Sequence, residues 1–294
     1  MSGSYWEEVH ATGLAVPSDR PLDELTAELT RMLGDPDPQL RDALAYPTLT
    51  TWIARGVYDD LLSGLGDGMA AGLTVDLGET DTDTVFRRSF SALVLGACIA
   101  RDNSRPLVAG GKILEWGDRI ATWLLRERDL RGFVPGKGWA HAMAHGADAL
   151  GSLAASPHLS TPELTVVLDV VADRILARSD TVLVHGEPDR LASATVAVLR
   201  RNLVPLSVLE PWVNRIGAVA ATPSTAAGRD PYLVTANAES FLRALYLQLA
   251  LGTRQPEVRH DLLLVIVDAL KRSNVQHLGY SGPSRRTDLA PPPL

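Results

Sequence analysis

Leu29-Thr30-Arg31-Met32-Leu33-Gly34-Asp35-Pro36-Asp37-Pro38-Gln39-Leu40-Arg41-Asp42-Ala43 reads as the end of one helix, a tight turn and the start of a second helix. Upstream, Leu22, Leu25, Leu29 and Leu33 recur at three- and four-residue spacing, so they share one helical face, with Ser18 or Asp19 near its start. Gly34-Asp35-Pro36 ends that helix, because proline cannot continue the hydrogen-bond ladder. Asp37 can then accept from orphan amides and Pro38 suits the first helical position. The second helix is expected to run through Trp52 and Ile53 and to close at Gly56.

The same spacing continues outward from this pair, while alternating β-branched runs are nearly absent. Further helices are expected at residues 58–75, 84–100, 106–126, 139–154, 162–177, 188–200, 206–220, 233–251 and 257–273. The fold class is therefore all-α, with about eleven helices joined by mostly short turns. Such helices bury their stripes either as a bundle or as stacked antiparallel pairs. The 29–43 stretch resembles a HEAT repeat, in which a leucine-rich helix ends at a short turn and an Asp/Arg pair lies early in the next helix. That resemblance implies a HEAT-like α-solenoid of about five antiparallel helix pairs. The other units match the pattern loosely, and an irregular helical bundle is the alternative.

The chain has 294 residues, 46% of them hydrophobic and 21% charged, which is apolar material enough for a sizeable core. Length alone suggests roughly two domains. No Pro- or Ser-rich linker divides the middle, however, so one helical domain is expected over residues 1–281. The stretch 282–294, with Arg285-Arg286 and Pro291-Pro292-Pro293, is expected to be a disordered tail. Lys plus Arg number 28 against Asp plus Glu 35, and this net charge of −7 disfavours nucleic acid as a partner. Cys98 is the only cysteine and lies in the apolar run Leu93-Val94-Leu95-Gly96-Ala97-Cys98-Ile99-Ala100, which excludes disulfides within the chain and cysteine-based zinc sites. A reducing, cytoplasmic location fits that usage. Met1 to Val9 hold no apolar signal core, and the longest apolar run, Leu262 to Val267, is too short to span a bilayer, so no membrane association is expected.

The segment richest in chemistry is Arg131-Gly132-Phe133-Val134-Pro135-Gly136-Lys137-Gly138-Trp139-Ala140-His141-Ala142-Met143-Ala144-His145-Gly146-Ala147-Asp148. On a helix, His145 lies about 40° from His141 and Asp148 about 20° to the other side, so the three share a narrow face. The small residues around them let neighbouring helices approach closely, and a buried polar stripe needs partners. One reading is a divalent metal such as zinc, since histidines at i and i+4 can chelate one ion. His141 and Asp148 are about 10.5 Å apart along the axis, so His141 and His145 would ligate while Asp148 orients His145. His185 and Glu187, just before a following helix, would complete the set. A second reading needs no metal: His145 is a general base, Asp148 its orienter and His141 the partner acid. Arg131, Lys137 and the helix start would then attract an anionic small molecule, beside Trp139. In a third, the histidines simply bridge neighbouring helices.

Around these residues the chain resembles a bacterial family of proteins of unknown function, domain of unknown function 2785. The likeness is carried by Arg128-Asp129-Leu130-Arg131-Gly132-Phe133, Lys137-Gly138-Trp139-Ala140-His141, Ala144-His145-Gly146-Ala147-Asp148, Arg88-Ser89-Phe90-Ser91 and Phe241-Leu242-Arg243-Ala244-Leu245-Tyr246. Pro38-Gln39-Leu40-Arg41-Asp42 and Ala45-Tyr46 also fit. The resemblance implies a helical fold and points to the 131–148 segment as the family's hallmark; it implies no particular reaction.

Other signals are weaker. Gly110-Gly111-Lys112-Ile113 lacks the earlier glycine, the following Ser or Thr and the preceding strand of a phosphate loop, and reads as a helix irregularity. No Gly-x-Ser-x-Gly elbow exists. Glu187, Asp189 and Arg190 suit either a site or an ordinary helix start. Asn237, which with Arg190 and Glu187 is a candidate ligand-binding residue, enters a helix on which Glu239 and Arg243 can pair. Trp52, Trp116, Trp123 and Trp212 fall at core spacing. The expected function is a polar His141/His145/Asp148 pocket that binds or transforms a small anionic ligand, with or without a metal. A non-catalytic scaffold for a protein partner is the alternative. DNA-binding HEAT-like folds, such as some alkylbase glycosylases, need a basic concave face that the charge argues against.

Overall fold

Apolar residues at three- and four-residue spacing fold as helix along most of the chain that the computed structural model describes, residues 2–223, 230 and 232–278. In order the helices are α1 Ser2–Ala11, α2 Leu22–Met32, α3 Tyr46–Ala54, α4 Leu62–Gly72, α5 Thr84–Ser104, α6 Gly110–Arg126, α7 Ala142–Ala154, α8 Thr161–Leu176, α9 Glu187–Leu199, α10 Leu206–Ala220, α11 Leu233–Leu251, α12 Arg259–Ser273 and α13 Val275–Leu278. A π-helical stretch, Gln39–Ala45, leads into α3. The sheet content of the described residues is one antiparallel pair, β1 Phe133–Val134 with β2 Gly138–Trp139. The protein is all-α, as the spacing requires. The expected tail at 282–294 lies outside the described residues.

The helices form two rows. α3, α5, α7, α9 and α11 pack each on the next, as do α4, α6, α8, α10 and α12, and neighbours in sequence join the rows. Close approach within a row rests on small residues: a Cβ added at Gly96 of α5 would lie 3.1 Å from Ala149 Cα of α7. Trp52, Trp116, Trp123 and Trp212 are buried core residues, as their spacing implied. Cys98 is fully buried in α5, and burial pushes its thiol up to about 12. No helix among the described residues is long and apolar enough to cross a membrane.

Three local readings of the sequence are corrected. Residues 2–11, which lie before the first expected helix, form α1, because Trp6 and Val9 share a face and Trp6 packs on Trp52 at 6.1 Å. The helix expected from residue 106 starts at Gly110: Asp102 Oδ1 accepts from the amides of Leu107 and Val108 at 2.7 and 2.8 Å and holds those residues in a turn. Lys112 thus sits in a first helical turn and pairs with Asp67 and Glu115, which removes the supposed helix irregularity. Lastly, Trp139 to His141 precede α7 instead of belonging to it.

Candidate functional site

That last correction shapes the site. Gly136 and Gly138 take positive φ values of 76° and 79°, which lets the chain reverse so that Trp139 pairs with Phe133. The pairing continues as Ala140 N donates to Gly132 O at 2.8 Å and His141 N to Arg131 O at 3.1 Å. Arg41, fully buried in the turn first quoted, donates to Lys137 O at 2.6 Å and covers the Phe86 and Phe90 rings. The hairpin is thereby fixed to a segment 96 residues away in sequence. His141 then adopts a left-handed backbone, φ 47° and ψ 33°, as the residue that starts α7. A non-glycine side chain in that region is uncommon and is held by its surroundings.

The His141 ring stacks on Trp139 with centroids 4.3 Å apart and meets His145 and His185 edge-on at 5.8 and 6.1 Å. Glu187, the first residue of α9, is 2% exposed and accepts from the His185 amide at 2.7 Å. Its Oε1 lies 3.9 Å from His141 Nε2 and 3.9 Å from His185 Nδ1. These gaps are too long for hydrogen bonds and suit one bridging atom. His141 Nε2 and His145 Nδ1 are buried without a hydrogen-bond partner, an arrangement that proteins rarely leave unused.

Burial pulls His141 below the usual imidazole range; Glu187 and a backbone hydrogen bond to His185 oppose this, while Arg190 and the His185 ring add to it. Burial pulls His145 well below that range, with His141 and Arg190 acting in the same direction against a backbone hydrogen bond to Ser89. Both rings are therefore neutral near pH 7, where an imidazole can take or give a proton.

The other expected residues go to different partners. Asp148 is ion-paired with Arg190 instead of orienting His145. Arg131 is held by Asp129 at 2.6 Å, and Lys137 by Asp83 at 2.7 Å. Asn237 is buried; its Oδ1 accepts from the Leu183 amide at 2.8 Å and its Nδ2 donates to Thr181 O at 3.2 Å, so it fixes the loop that carries His185. Three of the four residues suggested as metal ligands, His141, His185 and Glu187, do adjoin one another. Among the described residues, however, no group of three or more His, Cys, Asp or Glu is placed to hold a metal ion. His145 faces Phe90 at 4.9 Å, and its ring lies nearly perpendicular to that of His141.

His185 and Glu187, though not His141 or His145, are among the residues that line a cleft of about 1190 Å³, bordered by the connections after α4, α6 and α8. Two features of it escaped the sequence reading. Glu127, 1% exposed, receives Arg88 Nε at 2.6 Å and Arg88 Nη2 at 3.0 Å, closing a buried pair between α5 and the end of α6. Arg174, 7% exposed, also lines the cleft. A signal existed for both arginines: Arg88 shares the stripe of Val85, Ala92 and Leu95, and Arg174 that of Val167 and Val171, so each puts a charge on an apolar face.

Over residues 73–247 the sequence matches the model of a family described as "Protein of unknown function (DUF2785)", a span that holds the hairpin, both buried histidines, Glu187 and Arg174. No curated protein and no solved structure matches the chain.

Proposed function

We propose that this chain, which belongs to the DUF2785 family of proteins of unknown function, binds a small polar ligand in the cleft and acts on it with His141 as acid or base. The observation that carries the reading is the buried, unpartnered Nε2 of His141, 3.9 Å from a carboxylate oxygen that stands equally far from His185. A ligand hydroxyl or a water placed between them would be hydrogen-bonded by Glu187 and could exchange a proton with a neutral imidazole. Trp139, stacked on His141, offers a ring face to the imidazolium once it forms. His145 stands behind His141 and sets its surroundings. A bridging water or hydroxyl is preferred to zinc because, among the described residues, no group of three or more His, Cys, Asp or Glu is placed to hold an ion.

The two rows of helices support a HEAT-like α-solenoid as the scaffold of this cleft. The net charge of −7 and the single buried cysteine favour a small molecule over nucleic acid, and a reducing, cytoplasmic setting. A protein-interaction scaffold is the second reading, favoured by Phe133, Trp139 and Val184, exposed at 51%, 41% and 69%.

The test is nitrogen NMR of the histidine rings while glycerol, imidazole, acetate, inorganic phosphate and a zinc salt are added in turn. At least one probe is expected to move the His141 and His185 signals together, and Glu187→Gln to abolish the response. If zinc alone moves them, the site is a metal centre; if nothing does, the ligand reading fails.

A further inference from the structure

Arg174 lies in the last turn of α8 with its side chain against the cleft, 7% exposed. Its Nε has no hydrogen-bond partner. Glu127, the acid that acts on it, is fully engaged: its oxygens accept from Arg88, from Trp123 Nε1 at 3.0 Å, and from the amides of Arg128 and Asp129 at 3.0 Å each. Asp129, on the same wall, is held by Arg131 and by the Asp81 amide. Glu79 and Asp81 are exposed on the outer edge.

A guanidinium stays charged, and a buried charge without a partner is strongly unfavourable. Its planar fork matches two oxygens of a carboxylate or a phosphate. We infer that Arg174 receives the oxyanion end of a small ligand, a carboxylate or a phosphate monoester, whose other end lies along the cleft at His185 and Glu187. This rests on the cleft being the ligand site, and it names the group that anchors the ligand there. It also reassigns the anion contact: Arg131 and Lys137, the basic residues conspicuous in the sequence, already face acids. Arg126, Arg128 and Arg178 also line the cleft, against the carboxylates of Glu79, Asp81, Glu127, Asp129, Asp180 and Glu187, so the anchor is Arg174 itself and not a general positive field.

The experiment is calorimetric titration of the full chain at low salt with inorganic phosphate and, separately, malonate, using wild type, Arg174→Gln, Arg174→Met and, as a control at an exposed basic residue of α12, Lys271→Gln. Wild type is expected to bind at least one anion saturably. Both Arg174 variants weaken that binding by about tenfold or more, and Lys271→Gln stays within about threefold of wild type. A preference for phosphate identifies a phosphate ester as the ligand class, and a preference for malonate a carboxylate.

Without anion, both Arg174 variants melt at or above the wild-type temperature, since an unpaired buried charge has been removed, and they lose the rise that the anion causes in wild type. Undiminished anion binding in folded Arg174→Met overturns the inference, as does failure of wild type to bind either anion. A lower melting temperature of both variants also overturns it, because Arg174 would then serve the fold. The acid–base reading is judged apart from this, by the histidine signals with the neutral probe glycerol.

Discussion

His145 couples the site to stability through pH. Its folded form resists protonation, whereas in the unfolded chain it protonates near 6.5, so below that pH the unfolded state binds a proton that the folded state refuses. Stability is therefore present above about pH 7 and lost progressively as pH falls below the unfolded-state value of 6.5, with His141 acting in the same sense. Asp42 and Asp148, raised by burial, act oppositely but only near the carboxylate range. Urea midpoints at pH 7.5 and 5.5 check this: the drop in wild type should shrink in His145→Gln, and an equal drop in both would remove His145 as its source. At Glu127 the stakes are larger, because Arg88 and Glu127 are 0% and 1% exposed and each would strand the other. Glu127→Ala should lower stability by about 3–5 kcal/mol in denaturant unfolding. Gly132 matters for clearance, since an added Cβ would run into the His185 ring. Gly132→Ala should leave the melting temperature within a few degrees while displacing the His185 ring signal and weakening any ligand bound at Glu187.

Between elements, the contacts with the least freedom are those where a small residue meets a ring. Gly66 of α4 faces the buried indole of Trp116 on α6, whose Nε1 donates to Asp67 at 2.9 Å and so cannot turn away freely. Gly66→Ala gains helix propensity but must push that ring, and overpacking wins by about 1–3 kcal/mol, measurable by thermal or urea unfolding. A stability equal to or above wild type would show that the row of α4 and α6 yields more easily than its packing suggests. The helices themselves were legible because their apolar residues repeat near 3.6. The hairpin was not: residues 127–137 could be recognised as non-helical, yet only Arg41, reaching the carbonyl of Lys137, reveals why Trp139 and His141 leave the helix that their neighbours enter.

For the whole molecule, the two rows predict an uneven resistance to opening. α5 and α7 pack against each other through mostly buried residues, whereas the hairpin has two residues in each strand and exposed Phe133 and Trp139. Amide hydrogen exchange should be slowest in α5 and α7 and faster by orders of magnitude in β1, β2 and α13. Equal protection would contradict that order. The sequence by itself determined the all-helical class and the burial of Trp52, Trp116, Trp123, Trp212 and Cys98, and it marked His141, His145, His185 and Glu187 as candidates, since periodicity and local composition carry that information. Only the tertiary structure decided the pairing: Asp148 with Arg190, Arg131 with Asp129, Lys137 with Asp83, and the Nε of Arg174 with nothing among the described residues. Which charge meets which depends on the offset between helices distant in sequence, and that offset is set by how their side chains interlock, which spacing along one helix does not encode.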